Sequence, residues 1–288
     1  MAYRKILSVQ DISCVGQCSL TVALPVLSAC GHETCILPTA VLSTHTGGFS
    51  GYTCRDLGGD LPAIADHWNR EGIRFDAAYT GYLGSVALVD AVLDVLGRTL
   101  TPGAPRIIDP AMADNGVLYP AFDETYVAAM RRLSATADIL LPNITEACLL
   151  TGMDYRAYYD EAYIDRLLTA LHALGARTVV LTGVGFCPEE TGVMISESGV
   201  RSYYRHRRLP TGCHGTGDVY ASAFVGAYLK GLDVYTAAKI AADFTLICME
   251  NTRGDKDHTY GVKFEPMLGT LMDMIRLART MAARRGED

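Results

Sequence analysis

The sequence predicts one α/β domain whose mostly parallel sheet is covered by helices on both faces. Three observations carry this. Short apolar runs rich in β-branched residues alternate with helical patterns of roughly ten to twenty residues, the layout of successive βαβ units. No linker, internal repeat or low-complexity tract interrupts that order. A length of 288 residues with 49% hydrophobic content suits a single large core close to the size at which chains begin to split.

Taken in order, the runs at 5–9, 34–37, 77–80, 106–109, 139–141 and 178–182 read as strands. Helical patterns cover 19–29, 61–70, 86–96, 125–133, 146–150, 161–174, 219–229, 235–250 and 265–283, several opened by a Ser, Asp or Thr suited to capping. Between residues 182 and 211 the pattern changes to two short pieces, 192–196 and 200–206, which predict an antiparallel hairpin on the sheet's edge. Residues 43–59, rich in Gly, Thr and Ser, predict a long surface loop able to cover a site.

Composition narrows the function. Lys and Arg number 25 against 32 Asp and Glu, a net charge of −7, and the basic residues cluster only at Arg205–Arg208 and in the C-terminal tail. A nucleic-acid partner is not expected from such a chain. Nine cysteines without a C-x-x-C pair suit reduced thiols. The first residues, Met1-Ala2-Tyr3-Arg4-Lys5, run straight into a strand-like segment, and nowhere do 18 apolar residues follow one another. The expectation is a soluble cytoplasmic protein without a membrane segment.

The sharpest local feature is Gly215-Thr216-Gly217-Asp218, directly ahead of a long apolar helical pattern. Two glycines let the backbone turn tightly, and the free N–H groups of a helix start, with its dipole, favour an anion. Asp218 then stands beside developing negative charge, where its carboxylate can take the proton of an attacking alcohol. The plainer reading also stands: an ordinary loop and helix start with an acidic residue in its first turn. Neither G-x-x-x-x-G-K-[ST] nor a G-x-G-x-x-G opening the first βα unit is present. Other candidates lie at the carboxyl ends of expected strands, where open α/β sheets bind ligands. Asp109-Pro110 ends one strand, with Asp114 five residues on, and Asn143 and Glu146 follow another. Such groups can hold Mg²⁺ directly or through its waters; equally, Asp109 and Asn143 can be turn and cap residues.

These residues resemble the ribokinase-like superfamily, and more closely its vitamin B6 kinase branch. Leu7-Ser8-Val9-Gln10-Asp11 with Val15-Gly16 is similar to the family's first-strand block, and Ser43-Thr44-His45-Thr46-Gly47-Gly48 to its substrate loop. Thr80-Gly81-Tyr82-Leu83-Gly84-Ser85, Asp109-Pro110, Asn143 with Glu146, and Gly215 to Asp218 complete the likeness, in the family's order from about residue 5 to residue 229. The resemblance implies a three-layer α/β/α fold and ATP-dependent phosphorylation of a hydroxymethyl group on pyridoxal, pyridoxine or pyridoxamine. Asp218 is then the base, and Gly215, Thr216 and Gly217 form the anion hole. Asp109, Asp114, Asn143, Glu146 and Thr182 serve ATP, with Asp109 and Glu146 at Mg²⁺, while Asp11, His45, Thr46 and Tyr82 lie near the pyridine ring. A homodimer is implied as well.

Two departures bear on specificity. Asp11 stands where many B6 kinases have Ser, which is similar to hydroxymethylpyrimidine kinases and keeps such a kinase, or a dual-substrate one, as an alternative beside a non-catalytic vitamin- or nucleotide-binding protein. Leu141 stands where some relatives carry Thr near a monovalent cation, so dependence on K⁺ or Na⁺ is open. Cys213 adjoins the anion hole; some dual-substrate relatives place a reactive Cys near this loop, whereas a lone Cys is more often a small buried hydrophobe.

Overall fold

The computed structural model describes residues 3–210, 213–255, 258 and 260–285, so Met1, Ala2 and the last residues of the basic tail lie outside it. In chain order the elements are β1 (Lys5–Ser13), α1 (Leu20–Ala29), β2 (Glu33–Leu42), β3 (Cys54–Asp56), α2 (Leu61–Arg70), β4 (Ala77–Thr80), α3 (Val86–Thr99), β5 (Arg106–Ile108), β6 (Ala113–Asp114) and β7 (Val117–Leu118). They continue with α4 (Glu124–Ser134), β8 (Ile139–Leu140), α5 (Ile144–Thr151), α6 (Glu161–Leu174), β9 (Thr178–Val184), β10 (Glu190–Glu197), β11 (Val200–Arg207), α7 (Thr216–Leu229), α8 (Val234–Thr252) and α9 (Leu268–Arg285). This is the expected α/β order of parallel strands alternating with helices.

Two compact units are formed, residues 1–55 with 209–288, and residues 56–208. In the first unit β1 pairs with β2 in parallel, Lys5 opposite Glu33 and Val9 opposite Leu37. Burial of Ile6, Leu7, Val9 and Leu37 fits a strand covered on both faces. The apolar run suggested a strand ending at residue 37, just before Pro38, which cannot donate to a ladder. Instead the strand runs on to Leu42, and the pairing absorbs the irregularity as a register shift between Gln10 and Ile12. Helix α7 is buried along almost its whole length, and it packs against α1 and α8. A Cβ on Gly226 would come within 2.4 Å of Cys30 Sγ, so glycine permits the close approach of α1 and α7.

In the second unit the strand order is β4-β5-β8-β9-β10-β11. The first four run parallel, and β10 is antiparallel to both β9 and β11. The edge hairpin foreseen at 192–206 is therefore present, three residues longer on its first arm and one on its second. Consecutive helices α2 to α6 pack neighbour on neighbour.

Two expectations need correction. The loop foreseen at 43–59 gives way at Cys54 to β3 and a short 3-10 turn at Gly58–Asp60. Its neck is closed at Ser43 and Thr53, where Ser43 N–H donates to Thr53 O (3.0 Å) and Thr53 N–H to Ser43 Oγ (2.9 Å). The second is β6–β7, a small hairpin turning at Asn115-Gly116 in a stretch to which the sequence reading gave no element. Each arm is only two residues long, too short to show alternation. Among the described residues no helix is long and apolar enough to cross a membrane.

Candidate active site

The first unit gathers five of the expected residues around the start of α7. Gly215 adopts φ 77, the left-handed region open to glycine, and hands the chain to Thr216, the first helical residue. A Cβ on Gly215 would fall 1.9 Å from Gln17 O, so this turn lies directly on the segment that links β1 to α1. On Gly217 a Cβ would meet nothing within 4 Å, which leaves the space above its backbone open to a ligand. The N–H groups of this first turn have no helical partner of their own and favour an anion.

Asp218 is half-buried in the same turn and accepts a hydrogen bond from the Ser19 N–H. Burial pushes its carboxyl up to about 7, the charge of Asp11 adds to the rise, and the Ser19 bond opposes it. A carboxylate tuned toward neutrality is suited to taking a proton at physiological pH. Asp11, on β1 and 4% exposed, is also raised by burial, opposed by hydroxyl donors Ser19 and Ser13, the latter at 3.2 Å. Cys18 lies close enough to feel both carboxylates, and with burial they keep its thiol protonated far above the usual range.

His45 is 4% exposed, and both of its ring nitrogens are engaged by backbone. Nδ1 accepts from Gly47 N–H (3.1 Å), so Nε2 is the protonated nitrogen and donates to Tyr260 O (3.0 Å). Burial lowers its pKa, and the neutral tautomer is fixed by those two partners. A Cβ on Gly16 would be 2.0 Å from this ring, which explains glycine in the Val15-Gly16 block. The His214 ring lies 5.3 Å from that of His45. The nitrogens of His45 are therefore spent on holding loops together. Thr46, next to it, is exposed. Half-buried Cys213 has its thiol raised by burial, which suits a small buried hydrophobe more than a reactive thiolate.

In the second unit, Asn143 and Glu146 form a reciprocal cap on α5: Asn143 Oδ1 accepts from Glu146 N–H, and Glu146 Oε2 from Asn143 N–H, both at 2.9 Å. This is why α5 begins at Ile144, two residues before the sequence pattern suggested. Glu146 Oε1 also accepts from Met112 N–H (3.1 Å), and Asn143 Nδ2 donates to Ala113 O (2.8 Å). Burial pushes the Glu146 carboxyl up to about 8; the Asn143, Met112 and Ala113 N–H groups oppose the rise, and nearby Asp114 adds to it. Asp114 itself is exposed on β6, accepting from Asn115. Thr182 on β9 bridges to Asn143, its N–H donating to Pro142 O at 2.9 Å. These four are brought together. Asp109, nearly buried, follows β5, and its N–H donates to Thr80 O (3.0 Å). Half-buried Tyr82 lies 5.3 Å from Phe122, which stacks on Tyr126 at 3.7 Å. Leu141 is buried and apolar, and its N–H donates to Ile108 O (2.9 Å).

The donor set of Asp109, Asp114 and Glu146 is all oxygen and suits a hard cation. Both Glu146 oxygens already accept backbone N–H groups, and among the described residues no cluster of three His, Cys, Asp or Glu forms a cage. These residues fit Mg²⁺ held through its own waters, the usual mode for an ion that dehydrates reluctantly. Replacing Asn143 by Ala removes the cap and the Ala113 bond. The expected result in thermal unfolding is a loss of about 1 kcal/mol.

Sequence reasoning missed Ser13, Ser19, Gln17 and Tyr260. Tyr260 acts through its carbonyl, which no side chain advertises, and Ser19 reads as a helix cap although its side chain makes no capping bond.

Comparison with known proteins now adds to the geometry. The family model described as phosphomethylpyrimidine kinase matches residues 26–262. A pyridoxal kinase of Granulibacter bethesdensis is 30% identical over 82% of this chain and 86% of its own. The crystal structure of pyridoxal kinase from Lactobacillus plantarum superposes with a TM-score of 0.87 at 36% identity, covering 95% of this chain and 98% of that one. A hydroxymethylpyrimidine/phosphomethylpyrimidine kinase of Bacillus subtilis is 28% identical over 75% of this chain and 78% of its own. With a ribokinase-like fold throughout, the chain belongs to the phosphomethylpyrimidine kinase family and has pyridoxal kinases among its relatives.

Proposed function

We propose that the protein is an ATP-dependent kinase that phosphorylates the 5′-hydroxymethyl group of pyridoxal, pyridoxine or pyridoxamine. The observation that carries this reading is Asp218: a carboxyl raised to about 7, in the first turn of a helix, beside Gly217, where a Cβ would meet only open space. The likeness to pyridoxal kinases over nearly the whole chain supports the acceptor.

In this reading Asp218 takes the hydroxyl proton as the alcohol oxygen attacks the γ-phosphorus in line. The amides of residues 215–217 stabilise charge on the transferring group, and catalysis is mostly positioning and electrostatics. Asp109, Asp114, Asn143, Glu146 and Thr182 serve the nucleotide, and Asp109 and Glu146 hold Mg²⁺ through water. Mg²⁺ supplies charge neutralisation on the phosphates when bound. Asp11, Thr46 and Tyr82 contact the pyridine ring or its substituents, and His45 borders it by ring surface. One catalytic domain, a homodimer and a cytoplasmic location belong to the same proposal; nine free cysteines favour a reducing compartment.

The test is ADP release with Mg²⁺–ATP and each of four acceptors: the three vitamers and hydroxymethylpyrimidine. The expected outcome is a higher kcat/KM for at least one vitamer than for the pyrimidine. A preference for the pyrimidine moves the enzyme to the other substrate class, and no ADP above background with any acceptor points to a non-catalytic binding protein.

A further inference from the structure

Three non-glycine residues among those described have positive φ: Ser19, Asn115 and Ser198. Asn115 and Ser198 each precede a glycine at the tip of a two-residue hairpin turn and are exposed, so the turn itself demands the conformation. Ser19 has no such reason. With φ 55 and ψ −130 it occupies backbone space favoured by glycine, while only 4% exposed and making no helix-capping bond. Such a residue persists where its surroundings over-determine it, and these outliers concentrate at functional sites.

The surroundings of Ser19 are the two carboxyls of the first unit. Its N–H donates to Asp218, and its hydroxyl donates to Asp11. The carbonyl accepts from Val22 N–H (3.0 Å) and Ala23 N–H (2.9 Å), which fixes it to α1, and a bridge to Ile12 fixes it to β1. The positive φ turns amide and hydroxyl toward different acids from one rigid corner.

We propose that Ser19 is a positioning residue for phosphoryl transfer, its amide and hydroxyl holding the carboxyls of Asp218 and Asp11 as one hydrogen-bonded unit. This rests on the reading of Asp218 as the base. The titratable groups around that base are Asp11 from β1 and Cys18 from the β1–α1 segment, with His45 and His214 on the adjoining loops. The Cys18 thiol stays protonated and His45 stays neutral, so the charge that acts on Asp218 is that of Asp11. Without the Ser19 hydroxyl Asp11 ionises less readily, its repulsion of Asp218 falls, and Asp218 ionises at lower pH.

The experiment measures kcat/KM for the preferred acceptor across pH in wild type, Ser19→Gly, Ser19→Ala, Ser198→Gly and Asp218→Asn. Glycine accepts φ 55 without strain, so Ser19→Gly folds even if Ser19→Ala does not. The expected result for Ser19→Gly is about a tenfold loss of kcat/KM above neutrality, with the acid limb of the profile moved to lower pH. Ser198→Gly leaves both unchanged. An unmoved acid limb in Ser19→Gly, whether the rate is normal or reduced, overturns the proposal, because loss of packing alone lowers rate without moving the limb. Near-normal turnover by Asp218→Asn instead overturns the base reading itself, a separable failure.

Discussion

Replacing Asp218 by Asn gives a folded protein whose kcat is lower by roughly 10²–10⁴-fold, with ATP affinity nearly intact. The amide keeps the shape and can still accept from Ser19 N–H, but it cannot take a proton. In wild type the acid limb of kcat/KM lies near the pKa of the free enzyme's base, about 7, so activity falls as pH drops through neutrality. Stability moves the other way. The folded carboxyl sits above its unfolded value of 3.8, so its contribution is fully present below that value and is lost as pH rises through about 7. Asp218→Asn removes the ionisation, and its Tm relative to wild type rises between pH 5 and 8. A kinetic profile and a melting series on the same two proteins check both signs.

The second large effect separates two glycines that look alike in the sequence. Gly215→Ala places a methyl 1.9 Å from Gln17 O at a residue with φ 77, so the turn must shift and Tm falls. Left-handed backbone alone costs about 1–2 kcal/mol for a residue with a Cβ. The displaced helix start then lowers kcat/KM by about 100-fold. Gly217→Ala meets open space inside a helix, where alanine gains about 0.5–1 kcal/mol over glycine. If phosphate occupies that space, Gly217→Ala melts no lower than wild type and still loses about 100-fold in transfer. Stability retained and activity lost is the signature of a glycine kept for a ligand. Stability and activity both retained in Gly217→Ala removes that residue from the anion hole.

Much of this was legible in the sequence because it rests on periodicity and glycine. Strands such as β4 and β9 are continuous apolar runs, and α2 and α6 match their expected limits because Asp60 and Asp160 precede clear amphipathic patterns. The start of α7 was read three residues late. Gly217 is a poor helix former, and burial of the following turns against α1 and α8 overrides that preference. In the candidate site, Asp218 and its glycines stood out as an acid after a tight turn. Ser19 did not, because φ has no signature in a serine. For His45 the residue type was readable but its engagement was not: both ring nitrogens answer to backbone groups, one of them 215 residues away.

The paired bonds at Ser43 and Thr53 make the residues between them a purse with its drawstring pulled. Length or sequence can change inside it at little entropic cost, since widening an already closed loop adds only slowly to the closure penalty. That segment can therefore diversify while β2, and the carboxyl-bearing strand paired with it, stay as they are.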